Sequence, residues 1–243
     1  MGKYPVKRPF AVIINCETKN RNGSVKDVHN FQQALEVIGV NTIITHFDLN
    51  STELDRALLR YQGYDDYDCL IMAIFGHGNK DGIRFKGTIK TYSDIVDTFN
   101  GEKCQALKGK PKLFIFQSCR GKTEDIMPEK MITDVADEPE TVPITADVMV
   151  ANATFHVDYV ALRNGTNGSI FIHDLSTVLS KYGNKSDMNQ ILTKVNKDVS
   201  EKESKTDKTK EGQIAKQMPI FTSTLRQLLI FSDLERKEEL SQH

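Results

Sequence analysis

The sequence predicts an α/β fold, with a largely parallel central sheet of about six strands flanked by helices on both faces. Three observations lead there. Short, nearly unbroken apolar runs recur along the 243 residues, the mark of strands buried on both faces. Segments of helical period lie between the early runs, and strand–helix alternation builds parallel sheets. Apolar residues make up 39% and charged residues 27% of the chain, a balance that suits a globular protein rather than a disordered or collagenous one.

The elements follow in order. Phe10-Ala11-Val12-Ile13-Ile14 reads as a buried strand, as do Thr42-Ile43-Ile44, Cys69 to Phe75 and Leu113-Phe114-Ile115-Phe116. Between the first two, Val28, Phe31, Leu35 and Ile38 recur on one helical face, with Ser24 and Asp27 placed as a capping pair and Gly39 as the stop. Ser51 to Tyr61 repeats the helical pattern through Leu54, Leu58 and Tyr61. After Gly121 the texture changes: residues 122–141 hold Pro128, Pro139 and many acids but few apolar residues, the composition of an exposed linker. Beyond it, Val148 to Ala151 predicts a strand, 170–182 and 187–199 predict helices, 200–212 a charged loop, and Pro219 to Leu225 a last strand.

Composition excludes several function classes. Basic and acidic residues number 32 and 33, so no chain-wide positive field exists to hold a nucleic acid or an anionic membrane. No apolar run approaches the roughly 20 residues of a bilayer crossing, and the N-terminus lacks a signal-peptide core. Val6 stands where the myristoylation pattern that Gly2 invites needs Ser or Thr. The four cysteines, Cys16, Cys69, Cys104 and Cys119, form no Cys-x-x-Cys pair, which fits a reducing cytoplasm and argues against zinc, although His77 or His156 could in principle complete a scattered site. Neither metal nor cofactor is expected.

Ligands of open α/β sheets bind beyond the carboxyl ends of the strands, and two strand ends there carry chemistry. One runs into Phe75-Gly76-His77-Gly78 and the other into Gln117-Ser118-Cys119-Arg120-Gly121. Taken singly, a Cys ending an apolar run is an inert buried thiol and a His between glycines is a turn residue. Together they supply a nucleophile and its base, while glycines let backbone N–H groups approach a developing oxyanion.

Gln117 to Gly121 resembles the caspase signature Gln-Ala-Cys-Arg-Gly, whose catalytic His lies about 50 residues upstream; His77 is 42 residues upstream of Cys119. Gly76-His77-Gly78 is similar to the family's Ser-His-Gly. Arg21-Asn22-Gly23-Ser24, Lys108 to Phe114, Arg163-Asn164 and Lys216-Gln217-Met218-Pro219 resemble further caspase segments in family order, so the likeness covers nearly the whole chain. It is closest in kind to executioner-type members, whose peptidase domain follows no long prodomain.

That resemblance implies a cysteine endopeptidase cutting after Asp, acting in the cytoplasm in programmed cell death. Cys119 would be the nucleophile and His77 the base, with the N–H groups of Gly78 and Cys119 as oxyanion donors and the main-chain carbonyl of Lys19 orienting the imidazole. Arg21, Gln117 and Arg163 would bind the substrate Asp at P1, the residue before the scissile bond. Asp134-Val135-Ala136-Asp137 before Glu138 has the form of a processing sequence, dividing the chain into a large-subunit region, 1–137, and a small-subunit region, 138–243. The implied partners are protein substrates, a second copy of the chain or another caspase, and inhibitor-of-apoptosis proteins as candidate regulators. The chain departs from the family in having no Trp: Leu162 and Ile170 stand at the family's Trp positions, which weakens the apolar walls of the S2 and S4 subsites. The alternative expectation is therefore a catalytically impaired caspase-like protein that regulates an active relative by pairing or competition.

Overall fold

The computed structural model describes residues 2–16, 18–21, 23–79, 81–119, 144–155, 161–164, 168–203, 216–232 and 234. The linker with Asp134 and Asp137, His156 and most of the 200–212 loop lie outside the described residues.

The chain order is β1 (Pro9–Asn15), α1 (Ser24–Val37), β2 (Thr42–Phe47), α2 (Ser51–Gln62), β3 (Cys69–Phe75), β4 (Gly78–Asn79), β5 (Gly82–Phe85), β6 (Thr88–Lys90), α3 (Tyr92–Asp97), β7 (Lys112–Gln117), β8 (Val148–Asn152), β9 (Arg163–Asn164), β10 (Gly168–Ser169), α4 (Ile170–Tyr182), α5 (Met188–Ser200) and β11 (Ile220–Ser223). Six strands form the central sheet in the order β11-β8-β7-β3-β1-β2. All neighbours in it are parallel except β11, which pairs antiparallel with β8. The strands of this sheet are the six apolar runs of the sequence.

Successive side chains of a strand point to opposite faces, and both faces here are buried. Ala11, Ile13, Ile71, Phe75 and Ile115 pack with α1, α4 and α5, whereas Phe10, Val12, Met72, Phe114 and Phe116 pack with the α2 side. This two-sided burial explains why β1, β3 and β7 read as continuous apolar runs rather than alternating ones. Gly39 stops α1 as expected, at φ +94, where L side chains are strained.

Three local expectations are corrected. Ser24 and Asp27 do not cap α1: Gly23 is the N-cap residue, and it has no side-chain cap bond. Ser24 accepts a hydrogen bond from Asn15 Nδ2 at 3.3 Å, and Asp27 is bonded to Ser169, so tertiary partners have taken both side chains. The last strand, Ile220–Ser223, is shorter than Pro219 to Leu225; Thr224 still donates its N–H to the Val148 carbonyl at 2.8 Å, and its hydroxyl donates to the Thr145 carbonyl at 2.6 Å. A small antiparallel sheet, β4-β5-β6, and the six-residue α3 stand where no element was expected, since strands of two to four residues carry too little periodicity to read.

Candidate active site

Strand register sets the first part of the site. In the parallel pair β3–β7, Phe75 is the partner of Gln117, so His77 and Cys119 each follow two residues beyond the same rung, at the carboxyl edge of neighbouring strands. The Gly76 N–H donates to the Gln117 carbonyl at 3.1 Å and extends the pairing past the strand end. The Arg84 N–H donates to the His77 carbonyl at 2.8 Å, anchoring that loop on the small sheet. Gly78 presses against the cysteine loop: a Cβ there would lie 2.7 Å from the Cys119 carbonyl oxygen and 2.9 Å from Ser118 Cβ. No side chain fits in that gap, which is why glycine follows the histidine.

Cys119 is half-buried, whereas Cys16, Cys69 and Cys104 are buried. Burial pushes the Cys69 and Cys104 thiols up, which keeps them neutral and inert. Ser118, where the family motif has Ala, is buried, and its hydroxyl shares a 2.7 Å hydrogen bond with Tyr92 at the start of α3. Tyr92 stands edge-on to Phe116 with ring centroids 5.0 Å apart. The extra hydroxyl beside the nucleophile is therefore satisfied.

Two arginines carry positive charge near Cys119. Arg21 is only 5% exposed and donates from Nη1 to Asn15 Oδ1 at 2.9 Å and to the Cys16 carbonyl at 3.2 Å. Burial first, then the nearby Arg163 charge, push its guanidinium down to about 10, with Asp27, Cys16 and Cys119 opposing. It remains charged at neutral pH. The same interactions place Arg21 within electrostatic reach of both Arg163 and Cys119. Gln117 is 1% exposed, and its amide oxygen has no hydrogen-bond partner among the described residues; a buried acceptor left in this way calls for a hydrogen-bond donor.

Arg163 comes from a segment far along the chain, and two devices hold it. Its Nη2 pairs with the Asp27 carboxylate. Gln217 then straps the preceding residues: its amide oxygen accepts from the Leu162 N–H at 2.7 Å and its Nε2 donates to the Ala153 carbonyl at 2.7 Å. Leu162 itself is 3% exposed and Ile170 packs against the core.

The structure thus gathers Arg21, His77, Gly78, Gln117, Cys119 and Arg163 at one edge of the sheet. Lys19 lies in a 3-10 turn, Thr18–Asn20, just before Arg21. Asp137 lies outside the described residues. Asn15, Asp27, Tyr92 and Gln217 carry the supporting contacts and were not singled out in the sequence for these roles. Only Gln217 had a signal, as part of the segment Lys216 to Pro219. Among the described residues no group of three or more His, Cys, Asp or Glu could hold a metal ion, and no helix is long and apolar enough to cross a membrane.

Known proteins resemble this chain along most of its length. The family model of the caspase domain matches residues 8–230. Caspase-1 of Drosophila melanogaster is 33% identical over 244 residues, covering 93% of this chain and 74% of that protein. Caspase-14 of Homo sapiens is 27% identical, covering 93% of this chain and 95% of that one. The crystal structure of Caspase-1 from Spodoptera frugiperda is similar with a TM-score of 0.81 at 28% identity, each chain covered to 95%. A family model spanning most of the sequence, relatives alike along nearly its whole length and a shared sheet topology lead to one conclusion: the chain belongs to the caspase family.

Proposed function

We propose that this caspase is an aspartate-directed cysteine endopeptidase of cell-death signalling, working in the cytoplasm without metal or cofactor. The observation that carries the reading is the convergence of Arg21 with Arg163 and Cys119. A carboxylate entering such a place exchanges water for two guanidinium groups, and charge-assisted bonds offset its desolvation.

In the proposed reaction, Cys119 gives its proton to His77 and its sulfur attacks the scissile carbonyl. The N–H groups of Gly78 and Cys119 receive the oxyanion. The C–N bond breaks, His77 returns the proton to the leaving amine, and a thioester links the acyl half to Sγ. Water, deprotonated by His77, then adds to the thioester and releases the acid and the thiol. Processing after Asp137 would divide the zymogen into regions 1–137 and 138–243, and both would contribute to the P1 pocket, Arg21 and Gln117 from one and Arg163 from the other.

The buried Leu162 supports a second reading, a regulator of reduced turnover whose S2 and S4 walls are poor. A panel of peptides varied at P1 and P4 decides between them, with Cys119→Ala as the blank. Hydrolysis confined to P1 Asp is expected. Labelling by an Asp-bearing electrophilic peptide without turnover would favour the regulator, and neither labelling nor turnover would sink the protease reading.

A further inference from the structure

Arg21 and Arg163 lie within electrostatic reach of each other, and two like charges largely withdrawn from water repel unless an anion compensates them. Here the anion is Asp27, whose side chain is fully buried. Its Oδ2 accepts from Arg163 Nη2. Its Oδ1 accepts from the Ser169 N–H at 2.6 Å and from the Ser169 hydroxyl at 3.0 Å. Burial pushes this carboxyl up, while Arg163, the two Ser169 bonds and Arg21 pull the other way. The neighbouring chain is shaped around it: Gly168 has φ +83, and a Cβ there would collide with the Asp27 carboxylate and lie 3.2 Å from the Gly23 carbonyl. Asp27 sits on α1, 136 residues from Arg163 in sequence. It is a link by which the first half of the chain holds an arginine supplied by the second.

We propose that Asp27 is a positioning residue of the P1 pocket, aiming the Arg163 guanidinium at the substrate carboxylate from behind. The inference rests on the reading of Arg21, Gln117 and Arg163 as that pocket. A carboxylate is needed because both of its oxygens accept, one from Arg163 and the other from Ser169. An amide in its place keeps one acceptor and turns a donor toward either Arg163 or Ser169. With Ser169 fixed by its own backbone, the guanidinium is the group that gives way.

The test is binding rather than turnover, so it also applies to an enzyme of low activity. Fluorescent peptides ending in Asp or in Asn at P1 are titrated against protein carrying Cys119→Ala, alone and with Asp27→Asn, Arg163→Ala or both. Asp27→Asn is expected to weaken the Asp peptide about tenfold or more and the Asn peptide little, and to add nothing once Arg163 is Ala. A purely structural role would weaken both peptides together. Equal loss for both peptides, no loss for the Asp peptide, or a further loss in the Arg163→Ala background overturns the proposal. Should Asp27→Asn fail to unfold cooperatively, Asp27→Glu keeps the charge but displaces it by one methylene, and it must show the same Asp-selective loss in smaller size. If Arg163→Ala leaves the Asp peptide untouched, the pocket reading itself fails and Asp27's role falls with it; sensitivity to Arg163→Ala but not to the Asp27 variants overturns the positioning role alone.

Discussion

Arg21 is a charge kept inside the fold, and its surroundings explain how. An unpaired buried cation costs several kcal/mol, but here donors meet Asn15 and the Cys16 carbonyl, and Asp27 lies close enough to favour the charged form. The remaining donors of a planar, five-donor group are suited to a carboxylate. Removing either pocket arginine would leave a buried substrate carboxylate under-compensated. We expect Arg21→Ala and Arg163→Ala each to lower kcat/KM on a P1 Asp peptide by about 100-fold or more, and Arg21→Lys to recover little, since an ammonium lacks the fork. Steady-state kinetics on the purified variants check this; a loss confined to one arginine would remove the other from the pocket. Of these features the motif carried Arg21 and Arg163 openly, while the compensating Asp27 looked like a helix cap. A carboxylate three residues after a serine is the local pattern of a cap, and nothing local distinguishes it from one bonded to residues 136 and 142 positions away.

At the scale of elements, β11 is the outermost strand on its side and has one neighbour, β8. Such an edge exposes backbone donors and acceptors that another chain can pair with, and Ile220 and Phe221 are only half-buried on it. Caspases typically dimerise, and a two-fold pairing of β11 with its copy would bury this edge. We expect a dimer at micromolar concentration by sedimentation velocity; a monomer under those conditions would contradict it. The sequence already marked 219–225 as a last strand. That it pairs antiparallel at the margin followed only from the register of Ile220 with Asn152, because strand order is decided by packing between distant segments.

Across the whole molecule, the two ends of the chain are tied beside the strand that follows the linker. The Tyr4 N–H donates to the Leu228 carbonyl at 3.0 Å, and the Tyr4 hydroxyl donates to Asp147 Oδ1 at 2.6 Å. Arg226 grips the same buried carboxylate with Nε at 2.9 Å and Nη2 at 2.8 Å. Burial pushes the Asp147 carboxyl up, but the bonds from Arg226 and Tyr4 outweigh it and hold the group below its usual range. Burial and the Asp147 bond push the Tyr4 phenol up to about 12. A carboxyl depressed in the native state stabilises it fully above the unfolded value near 4, and that contribution is lost as pH falls through the native value. Asp147→Asn should therefore cost about 2 kcal/mol at pH 7, discounted because Arg226 is half-exposed, and the difference from the parent should close as pH drops below about 4. Urea unfolding at a series of pH values measures it, and a difference independent of pH would exclude the ion pair as its source. Self-processing belongs to this scale too. Mass spectrometry of protein after prolonged expression is expected to show a new N-terminus at Glu138 that is absent from Cys119→Ala. An uncut active chain, or the same cut in both proteins, would rule out self-cleavage after Asp137.

What the sequence determined alone were the features written in local order: six apolar runs, the helices at 24–37, 51–62, 170–182 and 188–200 within a residue or two, and the His77 and Cys119 strand ends. Periodicity and strand termination are properties of neighbouring residues, so they are legible without a fold. Tertiary structure decided the rest. It turned Asp27 from a cap into a partner of Arg163, and it satisfied the buried Lys112 with the carbonyls of Leu107 and Lys110 at 3.1 and 2.7 Å. It also closed the Tyr4–Asp147–Arg226 clasp and built a three-stranded sheet from segments too short to show a pattern. At Asp27, Lys112 and Asp147 a polar group is buried, and a buried polar group takes whichever partner the packing brings within reach, however far apart the two stand in sequence.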